Sequence, residues 1–187
     1  MAAPMVRGAN VALTREIPSL RSVVLGISLA PADSVLADNL VVATILCDAG
    51  GRALSHEHFV FFNQLSSPDR SVTQLAASAG RDTEQIEVDL RDVPADIERI
   101  VVVTYINEGI AANRSLGQLR SATIRVLDLA GDVELVRSED LAPGLSTETG
   151  LVLGELYRHD NGWKFKVVGQ GYTSGLVSMA ADFGLEL

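Results

Sequence analysis

The chain has 187 residues, 47% of them hydrophobic and 21% charged, a balance that excludes disordered and collagen-like chains and suits one folded domain around a single core. Fifteen basic residues against 24 acidic ones leave a net charge of −9, and that field repels phosphate backbones and anionic lipid, which excludes nucleic acid as a partner class. No membrane insertion is expected, because the apolar run at residues 23–30 is followed by Pro31, Asp33 and Asp38 and falls short of the roughly 20 apolar residues a spanning helix needs.

In chain order, residues 10–13, 22–29, 40–47, 57–62 and 86–90 read as strands, followed by the Val/Ile-rich run 100–106 and by 122–127, 133–136, 151–157 and 163–168. About ten short runs of this spacing predict an all-β fold, a two-sheet sandwich. Residues 48–51, 128–132 and 160–162 supply turn chemistry between them, with Asn161-Gly162 fitting the centre of a type I′ hairpin turn. Residues 92–98, with Pro94 near the start, suggest one helical turn. A C-terminal helix is expected over 174–183, where Leu176, Met179, Ala180 and Phe183 recur at helical spacing after a Thr/Ser cap and before Gly184. The polar stretch 68–83 reads as a long surface loop, the kind of segment that carries function.

Chemistry-bearing residues are sparse. The one cysteine, Cys47, lies in an apolar run and has no partner for an intramolecular disulfide, which favours a buried thiol and a cytoplasmic setting. His56 and His58, two apart on the expected strand, would share a face as a two-ligand start for zinc; His159 is the only other histidine, so the set falls short of a zinc site. Ser55 with His56, or Ser174 with His159, pair a nucleophile with a base only on paper, since no supporting motif accompanies either. No phosphate-binding glycine loop is present, and Trp163, Phe165 and Tyr157 read as packing residues.

Residues 155–172, ELYRHDNGWKFKVVGQGY, are followed by Ser174-Gly175-Leu176 and Asp182-Phe183-Gly184. Upstream come GANVALT at 8–14, Leu46-Cys47-Asp48, HFVFFN at 58–63, Ser67-Pro68-Asp69, IEVDL at 86–90 with Val93-Pro94-Ala95-Asp96, Gly117-Gln118-Leu119-Arg120 and Ser146-Thr147-Glu148-Thr149. In this order and spacing the chain resembles the TerD family of tellurium-resistance and stress proteins. That resemblance implies a single β-sandwich domain over 1–187, a cytoplasmic location, no enzymatic activity, and a part in tellurite resistance and general stress response. It also implies protein partners, among them paralogues or other products of a tellurium-resistance cluster.

The resemblance further implies calcium, which family members hold with carboxylates from two acidic stretches, one like DFDLDAS and one like GDGDDE. Here the first stretch becomes Asn39-Leu40-Val41-Val42-Ala43-Thr44 and the second Ala79-Gly80-Arg81-Asp82-Thr83-Glu84. Valine offers no ligand, Arg81 adds a positive charge, and Ca²⁺ takes six to eight oxygens. The expectation is weak or lost calcium binding, with Asn39, Asp82 and Glu84 as the remaining candidate ligands and Asp38 as a helper. The alternative is a low-affinity calcium sensor whose 68–84 segment orders on binding the cation.

Overall fold

The computed structural model describes residues 3–76, 78, 80–107, 113–130 and 133–186. Two antiparallel sheets face each other. In one, β1 (Asn10–Ala12), β11 (Gly162–Tyr172), β10 (Gly150–His159), β7 (Arg99–Ile106), β3 (Leu40–Cys47) and β4 (Phe59–Val60) lie side by side in that order. In the other the order is β5 (Val72–Gln74), β6 (Glu84–Asp89), β2 (Ser22–Pro31), β8 (Leu119–Asp128) and β9 (Val133–Arg137). The all-β sandwich expected from the spacing is the fold, with a helix α2 (Gly175–Asp182) at the C-terminal end.

The two sheets differ in how they are buried, and their sequences show why. Along β8 the buried residues alternate, with Ala122, Ile124 and Val126 facing the core while Ser121, Thr123 and Arg125 face out, the pattern of a sheet with one wet face. β3 and β7 are apolar almost continuously. Their inward residues Val42, Leu46, Ile100 and Val102 join the core between the sheets, and their outward residues Ile45, Val101 and Val103 pack in a second cluster with Met179 and Ala180 of α2. A strand covered on both sides loses its alternation because each face is removed from water.

Several local expectations are corrected. The turn of the β10–β11 hairpin is centred on Asp160 and Asn161, with φ of 49° and 63°, one residue earlier than read. His159 pairs with Gly162, and both central residues take the left-handed conformation a type I′ turn requires. Gly162 is a strand residue, where a Cβ would collide with Thr14 Oγ1. The 174–183 helix begins at Gly175, and Ser174 sits at its N-cap position without a capping hydrogen bond from its side chain. Residues 92–98 form turns in place of a helix; Arg158 donates to the carbonyls of Val93, Pro94 and Ile97 and its guanidinium lies 4.5 Å from the Trp163 ring centre.

Two elements escaped the sequence reading. A short helix α1 (Ser34–Asn39) carries the chain from one sheet to the other, capped by Asp33 Oδ1 accepting from Leu36 N at 2.9 Å, with fully buried Leu36 as its anchor. One buried residue in six leaves no periodicity to read. The expected 68–83 loop contains β5, an edge strand whose Val72 pairs with Val88. Residues 77 and 79 of that stretch, and 131–132 of the expected 128–132 turn, lie outside the described residues.

Candidate functional site

The stretches that the resemblance marks for calcium sit where β3 and β6 begin. Asn39, the last residue of α1, turns its amide back to donate to Val35 O at 2.8 Å, and its own carbonyl accepts from Asn107 N at 2.9 Å. Asp38 is exposed on the same helix. Val41 packs against the second apolar cluster, on the outer side of the six-stranded sheet.

Asp82 and Glu84 diverge. Glu84 opens β6 opposite Ile27, so it lies on the inward side of its sheet, at a cleft of about 220 Å³ walled by Leu29, Pro31, Ala37, Leu40, Val42 and Thr83. Its carboxylate accepts one long hydrogen bond, 3.4 Å from Gln74 Nε2. Desolvation pushes its pKa up against that single donor.

Asp82 reaches the opposite, outer side of the sheet across Gly26, where a Cβ would collide with the carboxylate. There it accepts from Arg125 Nη2 at 2.8 Å and Nε at 3.0 Å, from Gln85 Nε2 at 2.8 Å and from Ser28 Oγ at 3.3 Å. Its side chain is 1% exposed. Burial pushes this carboxyl up, but the donors from Arg125, Gln85 and Ser28 outweigh it and hold it below the ordinary carboxylate range. Arg125 continues to Glu134 Oε1 at 3.4 Å, which also accepts from Arg137 Nη2 at 2.7 Å. Sequence reasoning missed Arg125; its outward register opposite Gly26 becomes visible only once β2 and β8 are paired.

The histidine pair is corrected as well. Residues His56–His58 form a 3₁₀ turn, so the two imidazoles do not share a strand face. His56 Nε2 lies 2.9 Å from Glu186 O, and His58 Nδ1 lies 2.8 Å from Ser55 Oγ. Ser55 therefore meets His58, not His56, and its hydroxyl also caps the turn by accepting from Glu57 N at 3.1 Å. Ser174 and His159 lie near opposite ends of the long β10–β11 hairpin. Among the described residues no group of three or more His, Cys, Asp or Glu side chains is placed to hold a metal ion, and no helix is long and apolar enough to cross a membrane.

A two-sheet sandwich, with eleven strands among the described residues and a helix on one outer face, defines a class, and the comparisons agree on it. The TerD domain model matches residues 1–183. The chain is 34% identical to the tellurium resistance protein TerD of Serratia marcescens, over 99% of this chain and 98% of that one. It is 35% identical to general stress protein 16U of Bacillus subtilis (strain 168) over the whole of both. A crystal structure of a homologue of telluride resistance protein TerD from Streptomyces coelicolor A3(2) superposes with a TM-score of 0.66 at 20% identity, covering 90% of this chain and all of that one, which speaks to the fold. This chain belongs to the TerD family.

Arg125→Met leaves Asp82 buried and uncompensated and should lower unfolding stability by about 3–5 kcal/mol, with Asp82→Asn in the same background restoring part of the loss; urea denaturation showing a loss below about 1 kcal/mol would mean the pair behaves as a surface salt bridge. Glu84 has a folded pKa raised above its unfolded value, so its contribution to stability is fully present below the unfolded pKa of about 4.3 and is lost as pH rises through the folded one. Glu84→Gln should therefore melt higher than the native chain at pH 7, with the gap closing as pH falls below that range.

Proposed function

We propose that this chain is a non-enzymatic stress-response member of the TerD family that acts through protein contacts, its calcium chemistry weakened or lost. The observation that carries this reading is the internal pairing of Asp82: the carboxylate already accepts from Arg125, Gln85 and Ser28. An arriving cation would have to displace a guanidinium from a site removed from water. The other donors do not complete a six- to eight-oxygen cage, since Asn39 is folded onto its own helix and Glu84 faces an apolar cleft on the other side of the sheet. The names of the relatives, tellurium resistance and general stress proteins, support the stress-associated role.

Any link to tellurium is indirect in this reading. Cys47 is fully buried and its thiol is pushed up to about 12, chiefly by desolvation, which removes the thiolate that redox or metalloid chemistry needs. A contact surface is available at the turn after β4, where Phe62 and Leu65 are 58% and 41% exposed and Phe62 stacks edge-on against Phe61 at 5.1 Å. The partners proposed for it are paralogues or other products of a tellurium-resistance cluster.

Melting in EDTA and in millimolar calcium decides between this reading and the low-affinity sensor, which Glu84 and its weak hydrogen bonding favour. The midpoint is expected to stay where it is; a native-only site at a hundred times its dissociation constant would add about 2.7 kcal/mol, and a rise of several degrees would establish the sensor. Phe62→Ser should abolish co-purification with a paralogue while leaving the midpoint unchanged, and retention of the complex would remove this surface from the proposal.

A further inference from the structure

The wet face of the five-stranded sheet carries a cleft of about 250 Å³, lined by Ser28, Ala30, Arg81, Asp82, Ser121, Thr123, Arg125 and Arg137 among others. Its shape follows from strand register. Ser28 pairs with Thr123 and Ala30 with Ser121, while Arg125 pairs with Arg137 on the next strand. Outward positions on β2 and β8 therefore line part of the cleft with small side chains, and arginines line the rest.

Three arginines line the cleft. Glu134 fixes two of them, accepting from Arg125 Nη1 at 3.4 Å and from Arg137 Nε and Nη2 at 3.1 and 2.7 Å. Asp82 is matched by Arg125. The Arg81 side chain has no ion-pair partner among the described residues, nor have the Ser121 and Thr123 hydroxyls a hydrogen-bond partner there. Arg137 keeps N–H donors beyond those turned to Glu134, since a guanidinium carries five. With Arg81, Arg125 and Arg137 against Asp82 and Glu134, the cleft is a positive spot on a molecule of net charge −9.

We propose that this cleft binds a small oxyanion of the phosphate class, with Arg81 and Arg137 closing on it as donor forks and Ser121 and Thr123 donating from below. Glu134 holds the Arg137 fork in place, so that fork presents paired N–H groups without having to be ordered first. Glu134 is the positioning residue in this arrangement, and Asp82 holds Arg125 beside it. The proposal is independent of the calcium reading: either can fail alone.

The test is a titration of the ¹⁵N-labelled full chain with sodium phosphate at constant ionic strength. Saturable shifts confined to residues around Arg81, Ser121, Thr123 and Arg137 are expected. Arg81→Ala should weaken binding about tenfold, the loss of one charge-assisted contact, whereas Arg15→Ala, the same charge change at a side chain 84% exposed elsewhere, should leave it unchanged. Both arginines replaced are exposed or remote from the core, and the spectrum itself reports that each variant is folded. A phosphoserine peptide run beside inorganic phosphate distinguishes the source: tighter peptide binding assigns a phosphorylated side chain, equal or weaker binding the free ion. Linear shifts spread over the surface, equal weakening by both alanine variants, or no response to either probe would overturn the site.

Discussion

β3 and β7 are neighbouring interior strands of the six-stranded sheet with apolar side chains on both faces, one set meeting the opposite sheet and the other meeting α2. Double burial of these strands is the constraint from which the remaining layout follows. Stripping both faces of water leaves no room for charge along them, which is why Cys47 sits there as an inert hydrophobe. It also directs polar function to the other sheet, whose outer face is covered by no helix among the described residues and can keep hydroxyls, carboxylates and guanidinia.

On that wet face the same physics that makes a buried carboxylate costly turns Asp82 into a structural residue. Gly26 opens the space, Arg125 supplies the compensating charge, and Gln85 and Ser28 complete the hydrogen bonding. A carboxylate so satisfied is a poor ligand for an ion and a good support for neighbouring guanidinia. Glu84, two residues on, shows the opposite outcome: facing inward beside Leu29, Leu40 and Val42, it gains one weak donor and is driven toward its neutral form.

The elements legible in the sequence were those whose periodicity reports a sheet face. β2, β7, β8, β10 and β11 all lie where their apolar patterns placed them, and the C-terminal helix was visible because Met179 and Ala180 repeat at the spacing that buries them. α1 and β5 were not, since a six-residue helix with one buried leucine and a three-residue edge strand contain too few turns or alternations to show a period. The type I′ turn was legible in kind; its centre lies one residue earlier because the β10–β11 register pairs His159 with Gly162, whose missing Cβ leaves room for Thr14 from far away in the chain.

For the candidate ligands, the sequence by itself determined which oxygens were present: Asn39, Asp82 and Glu84 with valine and arginine between the positions that would have completed them. Their directions were decided only in the tertiary structure. Asp82 and Glu84 part company because β6 pairs with β2 so that Glu84 stands opposite Ile27 while Asp82 crosses Gly26 toward a guanidinium more than forty residues later. Charge and composition are local properties that a chain carries unfolded; a partner's identity is set by strand register, and register exists only once distant segments have paired.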